Sequence, residues 1–350
     1  MTLFSSLTGI TMALAVAAVV AWAVESRRRN RHAVTSGFHS EISLPFEQTF
    51  ELYHNALSLC SMKTRLCMAE LQIPYKSHRI DLIETGAYEN IRAPFLRVNP
   101  LGTVPVLVHE GHPIYESHEQ IRYAAKFSSN ESLSLVPEDP VLRAEMEEWI
   151  DRSSLTEDPV NHGELSAGNA APGQTLPLFA AMVEDVPFWK IFEGLLFHFD
   201  KRRPALFIIL KIRGLGKIDR MRPIASAIGK SRREMHGHLD ALEEKLLKSG
   251  GPWILGETYS LADVSWLVIF ERLRQVDAVG VFVGDGFRPA IEDYWARLRA
   301  RPAYREAILD QSHPLIEAGR NRIIEAKAAS EGIRRCLEGH REGNPNRENS

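Results

Sequence analysis

Leu57-Ser58-Leu59-Cys60-Ser61-Met62-Lys63-Thr64-Arg65 follows the short strand-like run Phe50-Glu51-Leu52-Tyr53 and leads into a helical stretch over 61–71. A hydroxyl and a thiol two residues apart, where a strand hands over to a helix N-terminus, make a setting for thiolate chemistry. The first amide hydrogens of a helix have no partner within it, and the helix dipole is positive there, so both lower the free energy of a nearby anionic sulfur. The anion is either Cys60 itself or a bound thiolate held by the Ser58 hydroxyl. A plainer reading of the same residues is a turn Ser58, an N-capping Ser61 and a small buried Cys60. The segment alone leaves both open.

Outward from it, the pattern predicts a strand over 75–81, a helical stretch over 88–98, strands at 106–109 and 114–115, and a helix over 117–126. A βαβ unit followed by ββα is the layout of an α/β thioredoxin-like domain. After a Ser/Pro/Asp-rich linker, strand signals almost vanish and helical periods recur through 141–155, 187–214, 220–249, 261–276 and 289–300. The Gly/Ala/Pro-rich stretch 164–175 reads as a mobile loop placed to cover a site. The apolar stretches Phe188-Trp189 and 206–210 read as core or domain interface, with a second membrane contact as the rival. Tyr259-Ser260-Leu261-Ala262-Asp263 has the form of a helix-capping box, which makes Ser260 and Asp263 structural. The expected organisation is an apolar helix over 1–26, a basic and polar tether over 27–45, the thioredoxin-like domain over 46–127, a linker over 128–140, an all-helical domain over 141–313, and an amphipathic helix (315–337) with a disordered tail in 314–350.

The 350 residues carry a net charge of -3, so no basic excess points to a nucleic-acid partner. Three cysteines (Cys60, Cys67, Cys336) form no metal-like cluster and no disulfide scaffold. From Thr2 to Val24 no side chain is charged, and Arg27, Arg28, Arg29, Arg31 and His32 follow at once. About 20 apolar residues cross a bilayer as a helix. The arginines on the C-terminal side predict a single-pass transmembrane anchor that leaves the folded domains on the cytoplasmic side. A cleaved signal is the rival, with Ala21-Trp22-Ala23 as its site, but the basic region that should precede it is missing.

Two further segments carry chemistry. In Asn99-Pro100-Leu101-Gly102-Thr103-Val104-Pro105-Val106, a cis Pro105 would present the Val104 backbone to an extended peptide; the alternative is a loop with two prolines. In Tyr115-Glu116-Ser117-His118-Glu119, Ser117 can cap the following helix, whose N-terminus suits a carboxylate, and Glu116 can accept from an ammonium group. A plain cap explains Ser117 but leaves Glu116 unassigned.

These segments, in this order, resemble the glutathione transferase superfamily over about 50–304, and within it the tetrachlorohydroquinone dehalogenase and zeta-like branch. The resemblance implies that Ser58 holds the glutathione sulfur as thiolate. It implies that Val104, ahead of Pro105, pairs with the glutathione cysteinyl backbone, and that Glu116 and Ser117 bind the γ-glutamyl group. Cys60 would attack a glutathionyl–substrate conjugate to form a mixed disulfide that a second glutathione resolves. Leu59 stands where zeta-class isomerases show Ser, and the anchor and C-terminal extension lie outside the dehalogenase pattern.

The expected activity is therefore glutathione-dependent transfer to an electrophilic, lipophilic or aromatic substrate, with reductive dehalogenation or thiol–disulfide chemistry through Cys60 and a role in detoxification. The alternatives are a transferase-like membrane scaffold and a zeta-like cis–trans isomerase. Glutathione is the expected co-substrate, a homodimer is implied by resemblance, and nothing points to a metal, flavin or nucleotide.

Overall fold

Alternation along the strands gives the sheet two different faces. Phe50, Leu52, Leu107 and Ile114 point into the larger core, while Val106, Val108 and Tyr115 gather on the other side with Phe95 and Tyr53. The computed structural model describes residues 2–29, 31–128, 134–156, 166–284 and 286–339. After helix α1 (Thr2–Arg28) come β1 (Gly37–Phe38), β2 (Phe50–His54), α2 (Leu59–Glu70) and β3 (Lys76–Arg79). Two 3-10 turns (Ile83–Thr85, Glu89–Ile91) and α3 (Ala93–Leu96) lead to β4 (Val106–His109), β5 (His112–Tyr115) and α4 (Ser117–Ala124). The strand order is β1-β5-β4-β2-β3; β2 and β3 run parallel and the other pairs antiparallel.

Helices make up the rest: α5 (Pro140–Ser153), α6 (Ala167–Val183), α7 (Phe188–Phe197), α8 (Arg202–Arg213), α9 (Arg222–Ser249), α10 (Leu261–Gln275), α11 (Val279–Phe282), α12 (Pro289–Ala300), α13 (Pro302–Tyr304), α14 (Pro314–Ala329) and α15 (Glu331–Glu338). Every residue of α10 but Arg274 is buried. Its start is fixed by the capping box read from the sequence: Ser260 Oγ accepts from the Ala262 N–H at 3.3 Å, and Asp263 Oδ2 from the Ser260 N–H at 2.8 Å. The same carboxylate accepts from Ile254 N–H and Tyr294 O–H, at 3.1 and 2.9 Å.

Several expectations change. The tether is part of the sheet: Gly37 and Phe38 pair with β5, and Leu44 N–H bonds Gly111 C=O at 2.8 Å. Helix α2 starts two residues earlier than read, because Ser58 caps it and not Ser61. The stretch 88–98 is mostly turn, since Pro94 leaves room for only one turn of helix. From Ala167 the expected loop 164–175 is helix; 164 and 165, like 129–133 of the linker and 340–350, lie outside the described residues. Small residues serve contact there, since a Cβ on Gly168 would meet the Ser154 carbonyl at 2.2 Å. The C-terminal helix breaks at Ser330, which caps α15. It is no appendage: Gly319 packs α14 directly on α6, where a Cβ would meet Leu178 at 2.8 Å.

In helix α1 no residue of the 19-residue apolar stretch Ile10–Arg28 is buried. It is long and apolar enough to cross a membrane, a test that signal sequences also pass.

Asp263→Ala should lower the unfolding free energy by about 3 kcal/mol by stranding buried donors, read as a shift in the urea midpoint. Burial pushes this carboxyl from its ordinary 3.8 up to about 6. The folded chain thus holds an extra proton between those values, and the group's contribution is lost as pH rises through that window. The stability of the wild type relative to Asp263→Asn should fall from about pH 4 to about pH 6 and be level above.

Candidate active site

The turn between β2 and α2 is built by one buried amide. Asn55 Oδ1 accepts from the Leu57 and Ser58 N–H groups, at 2.8 and 3.2 Å, while its Nδ2 donates to Ile80 C=O at 2.9 Å and Thr85 Oγ1 at 3.0 Å. Ser58 then adopts extended backbone angles and its Oγ accepts from the Ser61 N–H at 3.2 Å. Accepting that bond leaves the Ser58 O–H proton able to donate to an anion. Two residues further on, Cys60 is the second residue of α2; the residue as a whole is partly exposed while its thiol is shielded from water.

The other candidate residues converge on it. The Ser117 hydroxyl is in hydrogen-bond reach of the Cys60 thiol, and the Glu116 carboxylate is near enough for its charge to act on it. Ser117 is the first residue of α4, not its cap; Glu116 holds the capping position with φ at +67°, a strained conformation for a residue with a side chain. The Val104–Pro105 peptide bond is cis. Among the described residues no hydrogen bond engages the Val104 backbone N–H or C=O, which leaves an edge for an extended peptide.

Gln120 ties these segments together. Its Oε1 accepts from Thr64 Oγ1 at 2.8 Å, and its Nε2 donates to Pro105 C=O at 3.0 Å and Ile114 C=O at 2.9 Å. One buried side chain on α4 thus holds α2, the cis-proline loop and β5 in register.

Sequence reading missed the charges around the thiol. Lys63 is fully buried one turn past Cys60, its Nζ donates to Ser154 Oγ at 3.0 Å, and burial pushes it down to about 8. Arg272 of α10, 3 % exposed, bonds the Leu57 carbonyl, and its Nε and Nη1 have no partner among the described residues. The only advance signal for Lys63 was an unbroken polar triplet, Lys63-Thr64-Arg65, on a helix wedged between sheet and helices. For Arg272 there was none.

Burial dominates the thiol itself. It pushes Cys60 above its ordinary range, and the charges of Lys63 and Arg272 and the Ser117 hydroxyl offset this in part. The free thiol is thus less acidic than helix position alone implied. The site can present a hydroxyl donor, a thiol with a buried ammonium beside it, an acidic group and an open backbone edge to one small molecule.

A mixed thioredoxin-like sheet followed by an all-helical part defines a glutathione transferase fold. The family model "Glutathione S-transferase, N-terminal domain" matches residues 57–126, and "Glutathione S-transferase, C-terminal domain" matches 188–310. Together they cover more than half of the chain, which belongs to the glutathione S-transferase family and is a glutathione-dependent enzyme of its transferase and dehalogenase type. It is 25 % identical over 258 residues to the tetrachloro-p-hydroquinone reductive dehalogenase of Sphingobium chlorophenolicum, covering 73 % of this chain and 94 % of that one. It is 25 % identical to glutathione S-transferase TCHQD of Arabidopsis thaliana, covering 74 % and 89 %. Among solved structures, the β-etherase LigF of Sphingobium sp. strain SYK-6 superposes with a TM-score of 0.59 at 21 % identity, covering 75 % of this chain and all of that one.

Alkylation of Cys60 by iodoacetamide, followed by peptide mass, should have its midpoint above the ordinary thiol value of 9.0. Lys63→Met removes a cation that favours the thiolate at neutral pH, where Lys63 still carries its proton, so labelling there should slow. An unchanged profile would show that Lys63 does not act on the thiol.

Proposed function

We propose that this chain is a membrane-anchored glutathione transferase that reductively removes halide from an aromatic, lipophilic electrophile, with Ser58 and Cys60 as its catalytic pair. The observation that carries this reading is the placement of a Ser hydroxyl and a Cys thiol at the start of α2, both reachable by one bound sulfur. The dehalogenase relative supports it, as does a 2,5-dichlorohydroquinone reductive dechlorinase of Sphingobium indicum, 35 % identical over 74 residues.

Glutathione lies along the open Val104 edge with its γ-glutamyl group at Glu116 and Ser117, and its sulfur accepts the Ser58 proton bond as thiolate. That thiolate attacks the halogen-bearing carbon of the substrate's keto tautomer; the carbon–sulfur bond forms and halide leaves with its electron pair. The Cys60 thiolate then attacks the glutathione sulfur of the conjugate. The sulfur–carbon pair departs on the ring carbon, which takes a proton, and a Cys60–glutathione disulfide remains. A second glutathione thiolate cleaves it, giving glutathione disulfide and free Cys60. The balance is one aryl halide and two glutathiones to one arene, one glutathione disulfide, halide and a proton.

The anchor is α1, whose apolar stretch has no buried residue and whose C-terminal end carries Arg27 and Arg28, with Arg29 and Arg31 just beyond. Basic residues at that end keep the folded part on the cytoplasmic side.

With a chlorinated hydroquinone as probe, Ser58→Ala should slow glutathione conjugation ~100-fold, the cost of losing one donor to a developing anion. Cys60→Ser should still form the conjugate but accumulate it, as read by mass spectrometry. Full turnover in both variants would sink the assignment.

A further inference from the structure

Helices α7 and α8 turn outward side chains that ordinarily lie inside. Trp189 is 66 % exposed, Phe192 55 % and Ile212 65 %, and Phe188, Leu196, Phe199 and Ile209 are exposed with them. On α7 these positions recur every three or four residues and form one stripe, while the opposite side, Ile191 and Gly194, is buried. Gly194 lies on Tyr88, where a Cβ would meet the ring at 2.6 Å. The outward stripe is therefore not an unfilled part of the core. The sequence expectation of core or domain packing holds for the inner faces only.

Charge and position say what covers it. Residues 188–213 carry six basic and two acidic side chains in a chain of net charge -3. Both acids are already paired: Glu193 with Arg92 at 2.9 Å and Arg29 at 3.1 Å, Asp200 with Arg202 at 2.9 Å. Lys201, Arg202 and Arg213 are exposed at the borders of the apolar surface. A second copy laid on this face would bring like charge against like. The surface is also continuous with the root of α1: the Arg29 guanidinium lies 3.9 Å over the Phe197 ring, and that of Arg31 3.0 Å over Phe199.

We propose that the outer face of α7–α8 lies in the interfacial layer of an anionic bilayer, with Trp189, Phe192 and Ile212 among the acyl chain ends and the bordering Lys and Arg on the headgroups. The inference rests on the anchored reading of α1. If α1 crosses the bilayer, Arg29 and Arg31 lie at headgroup level, and their stacking brings Phe197 and Phe199 to the same level. Aromatic and aliphatic side chains rimmed by Lys and Arg are the pattern of helices that lie in that plane.

The test uses the full chain in phosphatidylcholine vesicles, with and without phosphatidylserine, containing lipids brominated near the headgroup or near the chain end. Comparing the wild type with Trp189→Tyr isolates the emission of Trp189, and Trp22→Tyr isolates that of Trp22 in α1. The proposal expects Trp189 to be quenched by shallow bromines, more so with phosphatidylserine, and Trp22 to be quenched as well. Quenching of Trp22 with unaffected Trp189 would overturn the surface while leaving the anchor. An unquenched but blue-shifted Trp189 would mean that a second copy covers the face, and would also overturn it. Quenching of neither would overturn both readings.

Discussion

A guanidinium taken out of water holds the turn between β2 and α2 where it is. Arg272 reaches from the core of α10 to the Leu57 carbonyl, one residue before Ser58. Burial pushes it down to about 10, so it stays charged at neutral pH, helped by Glu271 and Glu84. Arg65 crosses in the other direction, from α2 to the Ala307 carbonyl at 2.7 Å, while its Nη1 bonds Asn55 C=O at 2.9 Å. Such cations are costly to bury and tolerate little displacement of their partners. Thus the start of α2 is located by the helical half as much as by the sheet, and α10 is located in turn by Asp263.

How much of this could be read in advance varies with the kind of information each residue carries. The β4 strand, the α12 helix and the capping box at Ser260 were legible because period, turn residues and caps are local properties. The placement of Ser58 and Cys60 at a helix start, and the cis bond before Pro105, were legible from motif order. Choosing Ser58 over Ser61 as the cap depends on Asn55 bending the turn, a contact no spacing rule contains. Gln120, Lys63 and Arg272 look like surface residues of amphipathic helices; only packing reveals that α2 and α10 are covered on almost every side and that Gln120 lies on the inner face of α4. Composition misled at 164–175, where small residues allow close helix contact rather than loop freedom.

The hairpin of α7 and α8 also meets the site's border. Arg203 pairs with Glu84 at 2.5 Å, and Tyr88 sits under Gly194 and against the His198 ring. The 3-10 turn holding Glu84 and Thr85 is the one that Asn55 grips from the start of α2. One short stretch of chain is thus fastened to the thiol-bearing turn at one end and to the outward-facing hairpin at the other.

The burial of Cys60 bears on the exit as well as the attack. A sulfur that resists ionisation is a slow leaving group, so a disulfide through Cys60 parts reluctantly when the incoming thiolate must expel it. A Cys60–glutathione disulfide formed in turnover as proposed above would therefore persist after the halide has left. The buried ammonium of Lys63 eases that departing charge only while it keeps its proton, which it begins to lose near pH 8, whereas the Arg272 guanidinium keeps its charge throughout.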